Sequence, residues 1–338
     1  MFNVYSFNTI NEDVAFVIGV ILNITLITFI FTTKAKELNR YNRILLQTCF
    51  VDFFFLLVTF LVKPVKIVDC GYEYLIANGL ARHLPFPYRF YAFDVWMFAL
   101  SLSISSVPTE FIYQYWIIVH NKDFSLKKQL FCFGIAVFAS IVFAIACYYI
   151  YYERTSHLLY LGNNIANIMS DEDGVVWTVG MVLPIGQDNR IIYGIILIIL
   201  IAIGSYVIIA FCNIRTYMHL QGQKSLSSKT LEVQKQMGKI LTLQAFVPLI
   251  SAAFPSSLLI MALIFTNLSI AHITVFVTTL FSWVAPGNAF FILFVLKPYR
   301  RRMILFVKRI LCCARLQTVG FLNVSARKSN SGTPAQPS

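Results

Sequence analysis

Seven separate runs of apolar residues, each long enough to cross a bilayer as a helix, constrain this chain more than any other feature. A helix needs about 20 apolar residues to span the hydrocarbon of a membrane. The runs lie at about 14–33, 44–63, 90–118, 130–152, 191–213, 240–264 and 273–296, and we number them spans 1 to 7. Only 12% of the 338 residues are charged, against about 25% in a typical soluble domain. The sequence therefore predicts an all-α, polytopic bundle of seven transmembrane helices.

Basic residues are concentrated on one side of the predicted membrane. The segments 34–43, 119–129, 214–239 and 297–338 contain 21 of the 27 Lys and Arg residues, and all four fall on the same side. Cytoplasmic loops carry an excess of Lys and Arg. We therefore expect the amino terminus outside the cell and the carboxyl terminus in the cytoplasm. The formal charge of +12 comes mainly from these segments. We interpret it as charge at the membrane surface, so the expected partner is the lipid bilayer and not a nucleic acid.

The chain divides into a seven-helix domain (1–302), a juxtamembrane helix (303–316) and a flexible cytoplasmic tail (317–338). Apolar residues of 303–316 repeat on one face with Lys308 and Arg309 among them, a pattern typical of an amphipathic helix on the membrane surface. Cys312 and Cys313 lie near the end of this helix, and cysteines in such a juxtamembrane helix indicate palmitoylation. Two reduced cytosolic thiols are the alternative.

Two amides and one carboxylate are predicted at one depth in the membrane. Asn23 in span 1, Asp52 in span 2 and Asn288 in span 7 each lie nine to eleven residues from the nearest cytoplasmic basic residue. At 1.5 Å per residue, all three sit roughly 15 Å from the cytoplasmic face. We expect a hydrogen-bonded cluster, which acts either as a structural clamp or as a switch that responds to protonation or an ion.

Span 3 carries polar residues on two nearly opposite faces. One face holds Asp94, Ser101, Ser105 and Thr109, and the other holds Ser103, Ser106, Glu110 and Gln114. A helix that is polar on both sides cannot face lipid on either, because each ionisable residue costs about 3 kcal/mol at the centre of a membrane helix. Span 3 is therefore predicted to be the central helix of the bundle.

The outer end of span 3 is the predicted ligand site. Asp94, Phe98 and Ser101 share the face that begins at this end, and we expect them to line a pocket among spans 3, 5, 6 and 7, under the 153–190 loop. The alternative for Asp94 is an interfacial acid that water reaches, with Arg89 as a candidate partner. Glu110 and Gln114 lie one turn apart near the inner end, where a transducer would bind.

Prolines interrupt spans 6 and 7. Pro248 and Pro255 lie in span 6 and Pro286 lies in span 7. Each proline removes one backbone hydrogen bond and permits a kink. We interpret them as hinges, with a static kink as the alternative.

The sequence lacks the residue patterns that several kinds of catalytic and metal site require. No histidine lies in a predicted span, no cysteine pair has the spacing of a zinc site, and no phosphate-binding glycine loop or nucleophile elbow occurs. We therefore expect no catalytic residues, no metal site, no cofactor and no enzymatic activity.

Four short runs resemble a known family. They are 42–49 (NRILLQTC) leading to Asp52, 78–82 (NGLAR), 241–248 (LTLQAFVP) and 297–300 (KPYR). In this order and at these spacings they resemble the nematode serpentine chemoreceptors, most closely class delta (Srd), within the rhodopsin-like seven-helix receptors. The likeness runs from about residue 15 to 302, and Asn23, Asp52 and Asn288 match the polar core that these receptors share.

The resemblance implies a plasma-membrane receptor, located on sensory neurons and their cilia, that binds an external small molecule and signals through a heterotrimeric G protein. The family carries an Arg-Tyr pair at the inner end of span 3, where this chain has Gln114-Tyr115. Glu110, Gln114 and Tyr115 are therefore the residues predicted to serve G-protein coupling. The alternative function is a seven-helix channel or transporter without G-protein coupling. A transporter usually shows an internal repeat, and we find none in this sequence.

Overall fold

The computed structural model describes residues 4–33, 36–69, 71–169, 178–184, 190–222, 230–246, 250, 271–305 and 308. Its helices are α1 (Val4–Thr32), α2 (Lys36–Asn39), α3 (Asn42–Val62), α4 (Tyr88–Val119), α5 (Leu126–Met169), α6 (Arg190–Gly222), α7 (230–246), α8 (Ala271–Ser282), α9 (Val284–Val295) and α10 (297–305). A 3-10 turn covers Leu80–His83. Three strands accompany the helices: β1 (Pro64–Asp69), β2 (Tyr72–Ala77) and β3 (Thr178–Pro184).

The helical membrane bundle predicted from the sequence is confirmed. Helices α1, α3, α4, α5 and α6 are each long and apolar enough to cross a membrane, and they correspond to spans 1 to 5. Helices α8 and α9 form a bent pair that serves as span 7. Helix α7 contains the first residues of span 6, and the remainder of that span lies mostly outside the described residues.

Helices α1, α5, α6 and α7 extend well beyond the apolar runs that predicted them. Helix α1 begins at Val4 rather than near 14, and α5 continues to Met169 rather than ending near 152. Hydropathy locates only the part of a helix that lies in lipid. A helix that has started gains one backbone hydrogen bond for each further residue, so it continues into polar sequence.

A three-stranded antiparallel sheet, which the sequence did not predict, lies at the end of the bundle opposite the basic segments. Strands β1 and β2 form a hairpin between spans 2 and 3, and β3 pairs with β2 from the connection between spans 4 and 5. The sheet packs against α5 and α8. Buried Val65, Ile67 and Ile76 contact Val275 of α8 in one apolar cluster, which explains why these β-branched residues form strands here.

Helix α4 is the central helix of the described bundle, as its two polar faces predict. It packs against α3, α5 and α6 and also contacts β3. All of its predicted polar residues except Asp94 are buried. The helix is therefore surrounded by protein on both polar faces.

Span 7 is broken near the predicted proline. Helices α8 and α9 meet at Trp283 with a bend of 44°. Pro286 has no backbone N–H, and its ring collides with the carbonyl four residues earlier, which belongs to Ser282. The kink that Pro286 predicts is therefore present, and the helix breaks between Ser282 and Val284.

The chain after span 7 turns directly into α10, which begins at 297, within the range assigned from the sequence to the seven-helix domain. Tyr299 is fully buried and packs near Phe29 of α1. Arg302 donates two hydrogen bonds to Thr32, one to the hydroxyl (2.7 Å) and one to the carbonyl (2.9 Å). These contacts attach the start of the juxtamembrane helix to the inner end of α1.

Candidate functional site

The centre of the bundle contains a hydrogen bond between spans 2 and 7. The Asn288 side-chain amide donates to Asp52 Oδ1 over 2.9 Å, and both residues are buried. Because α9 begins directly after the break at Trp283, Asn288 lies on its second turn and faces α3. Two members of the predicted polar cluster are therefore in direct contact.

Asn23, the third member, is bound within its own helix. Its amide donates to the carbonyl of Gly19 at 3.0 Å, and the residue is fully buried. Among the described residues, no hydrogen bond joins it to Asp52 or Asn288. The second Asp52 oxygen and the Asn288 and Asn23 side-chain oxygens also have no hydrogen-bond partner there. The common depth predicted from the sequence thus brings together two of the three side chains.

Glu110 lies inside the bundle and contacts α3 rather than the cytoplasm. The Thr48 hydroxyl donates to Glu110 Oε1 at 2.7 Å, and Glu110 is 5% exposed. One residue earlier, Thr109 accepts a hydrogen bond from Gln47 at 3.1 Å. Polar contacts therefore join α4 to α3 along the inner half of the bundle, and Glu110 belongs to this set.

Gln114 connects the central helix to α7. Its side-chain amide donates to the backbone carbonyl of Gln234 over 3.4 Å, and the residue is 3% exposed. Gly238, one turn further along α7, lies beside this amide, and a Cβ there would be in ordinary van der Waals contact with it at 3.4 Å. Tyr115 faces another direction, and its ring lies 6.0 Å from that of Phe211 in α6. Gln114 and Tyr115 thus contact the two helices on either side of the basic segment 214–239.

The face of α4 that is predicted to bind the ligand packs against α3 at the middle of that face. The Phe98 ring lies 6.1 Å from the Phe54 ring, edge to face. Ser101 is buried, and Asp94 is half-buried with its Oδ1 atom enclosed and without a hydrogen-bond partner among the described residues. The face therefore points in part towards span 2, whereas the sequence placed the pocket among spans 3, 5, 6 and 7.

Arg89, the partner suggested for Asp94, bonds to backbone carbonyls instead. Its guanidinium donates to the carbonyl of Leu84 at 3.0 Å and to the carbonyl of Val179 in β3 at 3.1 Å. Arg89 therefore fixes the sheet against the start of α4. No ion pair to Asp94 occurs in the part of the chain that the structure describes.

Trp96 is a bundle residue that the sequence analysis missed. Its indole N–H donates to the Thr59 hydroxyl in α3 at 3.3 Å, and its ring lies 6.0 Å from the Phe281 ring in α8. It thereby links spans 2, 3 and 7 near their outer ends. The signal was available, since a tryptophan near the end of a central, buried helix needs a partner for its N–H.

Charged residues outside the predicted spans are also buried. Glu12, which the early start of α1 brings into the bundle, is 2% exposed and accepts a hydrogen bond from Ser282. Glu73 of β2 is 1% exposed and accepts from Lys66 (2.5 Å) and from the Tyr151 hydroxyl (3.2 Å). Hydropathy could not find either acid, because both lie outside the apolar runs.

The remaining predicted positions lie outside the described residues. They are the span 6 prolines Pro248 and Pro255 and the cysteines Cys312 and Cys313. Within the described ranges, no three His, Cys, Asp or Glu side chains are grouped so as to hold a metal ion.

The fold resembles that of a known receptor. The chain superposes on the crystal structure of squid rhodopsin with a TM-score of 0.61 and 17% sequence identity, over 92% of this chain and 87% of that chain. At this identity the similarity concerns the fold. No curated protein matches the chain in sequence.

The sequence model of one family matches most of the chain. It is described as the serpentine type 7TM GPCR chemoreceptor Str, and it matches residues 8–304. The prediction of a serpentine receptor is thereby confirmed, whereas the assignment to class delta is not confirmed. The chain is an integral membrane protein that belongs to the Str family of serpentine seven-transmembrane GPCR chemoreceptors.

Proposed function

We propose that this protein binds an external small molecule at the outer half of its helix bundle and signals through a heterotrimeric G protein. It acts in the plasma membrane of sensory neurons, including their cilia, with the amino terminus outside. The observation that carries the proposal is the contact between Gln114 of α4 and the backbone of α7. The family membership and the rhodopsin-like fold support it.

Helix α4 offers a continuous connection between the two faces of the membrane. Asp94 and Trp96 lie near its outer end and Gln114 near its inner end, and the helix is unbroken from Tyr88 to Val119. A ligand at the outer end acts on residues that touch α3 and α8, through Thr59 and Phe281. Movement of this helix is expected to change the position of Gln114 against α7.

The Asp52–Asn288 bond lies midway along this connection. A buried hydrogen bond between two helices has two discrete states, made and broken, which suits a switch better than a continuous change. The bond joins α3 to α9, which directly follows the bend at Trp283. We propose that Asp52 and Asn288 form the switch, and that Pro286 serves as a hinge beside it. Asn23 stays part of the proposed cluster, in which it would bind Asp52 or Asn288 in a second state.

The alternative function, a channel or transporter, can be distinguished from a receptor in cells that express this chain. We propose a panel screen of small volatile and water-soluble chemicals, with calcium and cyclic-nucleotide reporters and with electrical recording. A receptor gives second-messenger signals that depend on a co-expressed Gα subunit. A current that persists without any Gα subunit would overturn the proposal.

Orientation is tested separately with epitope tags. A tag before Met1 should bind antibody on intact cells, and a tag after Ser338 should bind only after permeabilisation. A carboxyl-terminal tag that is accessible on intact cells would contradict the proposed topology and the G-protein coupling with it.

A further inference from the structure

A groove lies between α7 and the segment that joins α9 to α10, on the proposed cytoplasmic side. Its volume is about 570 Å³. It is lined by Leu231, Glu232, Lys235, Gln236, Lys239, Phe294, Val295, Lys297 and Arg300. Four of these residues are basic and one is acidic, so the groove has a net positive charge.

The acid is already engaged by one of the cations. Lys297 forms an ion pair with Glu232, and its backbone N–H donates to Gln236 Oε1 at 3.0 Å. The hydrogen bond and the charge of Lys297 hold the pKa of Glu232 below its ordinary value. The described residues form no ion pair with Lys235, Lys239 or Arg300. Three positive charges therefore remain available in one groove.

Both walls of the groove continue into surface that faces lipid. On α7, Lys239 is followed on the same face by Leu243 and Phe246, which are 38% and 54% exposed. On the opposite wall, Phe294 stacks on Phe290 with ring centroids 4.3 Å apart, and both rings are partly exposed. The basic residues lie at the cytoplasmic end of each helix and the apolar residues lie deeper. The groove therefore opens sideways to the membrane at the level of the headgroups.

We propose that this groove binds the headgroup of an anionic phospholipid of the cytoplasmic leaflet, with the acyl chains along Phe294 and Leu243. Phosphate oxygens accept hydrogen bonds from Lys235, Lys239 and Arg300 and neutralise their charges. Basic pockets between transmembrane helices on the cytoplasmic side are suited to such headgroups. The inference depends on the proposed orientation of the chain in the membrane. It does not depend on ligand binding or on a G protein.

The test uses the purified full-length protein in detergent, without ligand or G protein. Binding of short-chain phosphatidylinositol bisphosphate is measured by native mass spectrometry and compared with short-chain phosphatidylcholine and with soluble inositol trisphosphate. We expect the anionic lipid to bind more tightly than phosphatidylcholine. We expect it also to exceed inositol trisphosphate, because the soluble headgroup lacks acyl chains. Equal binding of the soluble headgroup would contradict a lipid site.

The groove variant carries Lys235→Gln and Lys239→Gln. A basic residue near an anionic surface contributes about fivefold in affinity, so two should weaken binding roughly 30-fold. The matched control carries Lys122→Gln and Lys127→Gln, two exposed lysines on the same side, one in the segment between α4 and α5 and the other in the first turn of α5. The control removes the same charge outside the groove and should change affinity by less than about twofold, since its two lysines do not contact the headgroup.

Gel filtration establishes that each variant is folded. If the double variant fails to fold, Arg300→Gln is measured instead, with an expected loss of about fivefold. Equal loss in the groove variant and the control would show non-specific charge attraction and overturn the proposal. Unchanged lipid affinity in a folded groove variant would also overturn it, because the lipid would then bind outside the groove.

Discussion

The Gln114 side-chain amide lies 3.4 Å from the backbone carbonyl of Gln234, and this hydrogen bond joins the central helix to the inner end of α7. The receptors that this chain resembles usually have an arginine at this position. That arginine can pair with an acid. Glutamine is neutral, so it forms no ion pair, yet it still donates to a carbonyl. The chain thus joins α4 to α7 at this position with a neutral bond.

Replacing Gln114 by alanine should raise signalling in the absence of ligand. A neutral hydrogen bond contributes about 0.5–1.5 kcal/mol, and the length of this one favours the lower half of that range. The open state should therefore gain roughly two- to fivefold in population. Basal second-messenger output, normalised to receptor at the cell surface, measures the change.

The matched control for this variant is Gln129→Ala. Gln129 is also a buried glutamine of the inner half, and it donates to Gln47 at 2.9 Å, so it joins α5 to α3 and does not touch α7. Its loss should leave basal output unchanged. Equal basal output from the wild type and the Gln114 variant would show that the bond to Gln234 does not restrain α7.

Asn288→Ala should destabilise the protein more than Asn23→Ala. The first change removes the only hydrogen bond that the described residues donate to Asp52 and leaves a buried carboxyl group unpaired, which costs about 1–3 kcal/mol. The second removes a bond to a carbonyl of the same helix. Thermal unfolding of both purified variants measures the difference. An equal loss from both variants would indicate that Asn23 belongs to the same cluster.

The depth of this pair could be predicted from the sequence, but its geometry could not. Counting residues from the basic segments places Asp52 and Asn288 at one level because the helical rise is fixed. It does not say which way each side chain turns around its helix. That depends on packing, such as the close contact of α1 with α3 and α9 at Gly19, where a Cβ would lie 2.8 Å from Leu56. Asn23 consequently faces its own backbone.

The sheet and its buried charges could not be predicted from the sequence, for a different reason. Strands of six or seven residues lie in connections where hydropathy finds no span, and the pairing of β2 with β3 joins positions about 100 residues apart, as Tyr74 to Val182 does. Nothing local encodes such a partner. Glu73 pairs with Leu183 of β3, so its burial depends on that pairing and was missed as well.

Glu73→Ala should lower the stability of the outer end. Lys66, whose side chain is 16% exposed, would then lose its partner, and breaking a buried pair costs about 3–5 kcal/mol. The double variant Lys66→Met/Glu73→Leu should recover most of this loss, because two apolar residues leave no charge unpaired. The unfolding temperature measures both effects.

The exposed pair Arg190–Glu153 provides the control. Its side chains are 47% and 57% exposed, so Glu153→Gln should cost at most about 1 kcal/mol. A double variant as unstable as Glu73→Ala alone would mean that packing in the sheet, rather than the ion pair, determines the loss.

Asp94→Ala and Ser101→Leu should each shift the dose–response curve of an activating chemical to higher concentration. Asp94 offers an enclosed oxygen without a partner among the described residues, so a ligand donor there would gain a charge-assisted hydrogen bond. We expect at least a tenfold shift for Asp94→Ala at equal surface expression. Arg82→Gln, at a partly exposed position of the 3-10 turn before α4, serves as the control. If neither Asp94→Ala nor Ser101→Leu moves the curve, the ligand binds elsewhere.

The most direct test of the receptor proposal is nucleotide exchange on a purified heterotrimeric G protein. The full chain is placed in nanodiscs, an activating chemical from the panel is added, and binding of a non-hydrolysable GTP analogue to Gα is measured. The proposal predicts faster exchange with the chemical than without it, and faster basal exchange for Gln114→Ala than for Gln129→Ala. No acceleration with any Gα class, together with a ligand-gated current in liposomes that hold the chain alone, would contradict it.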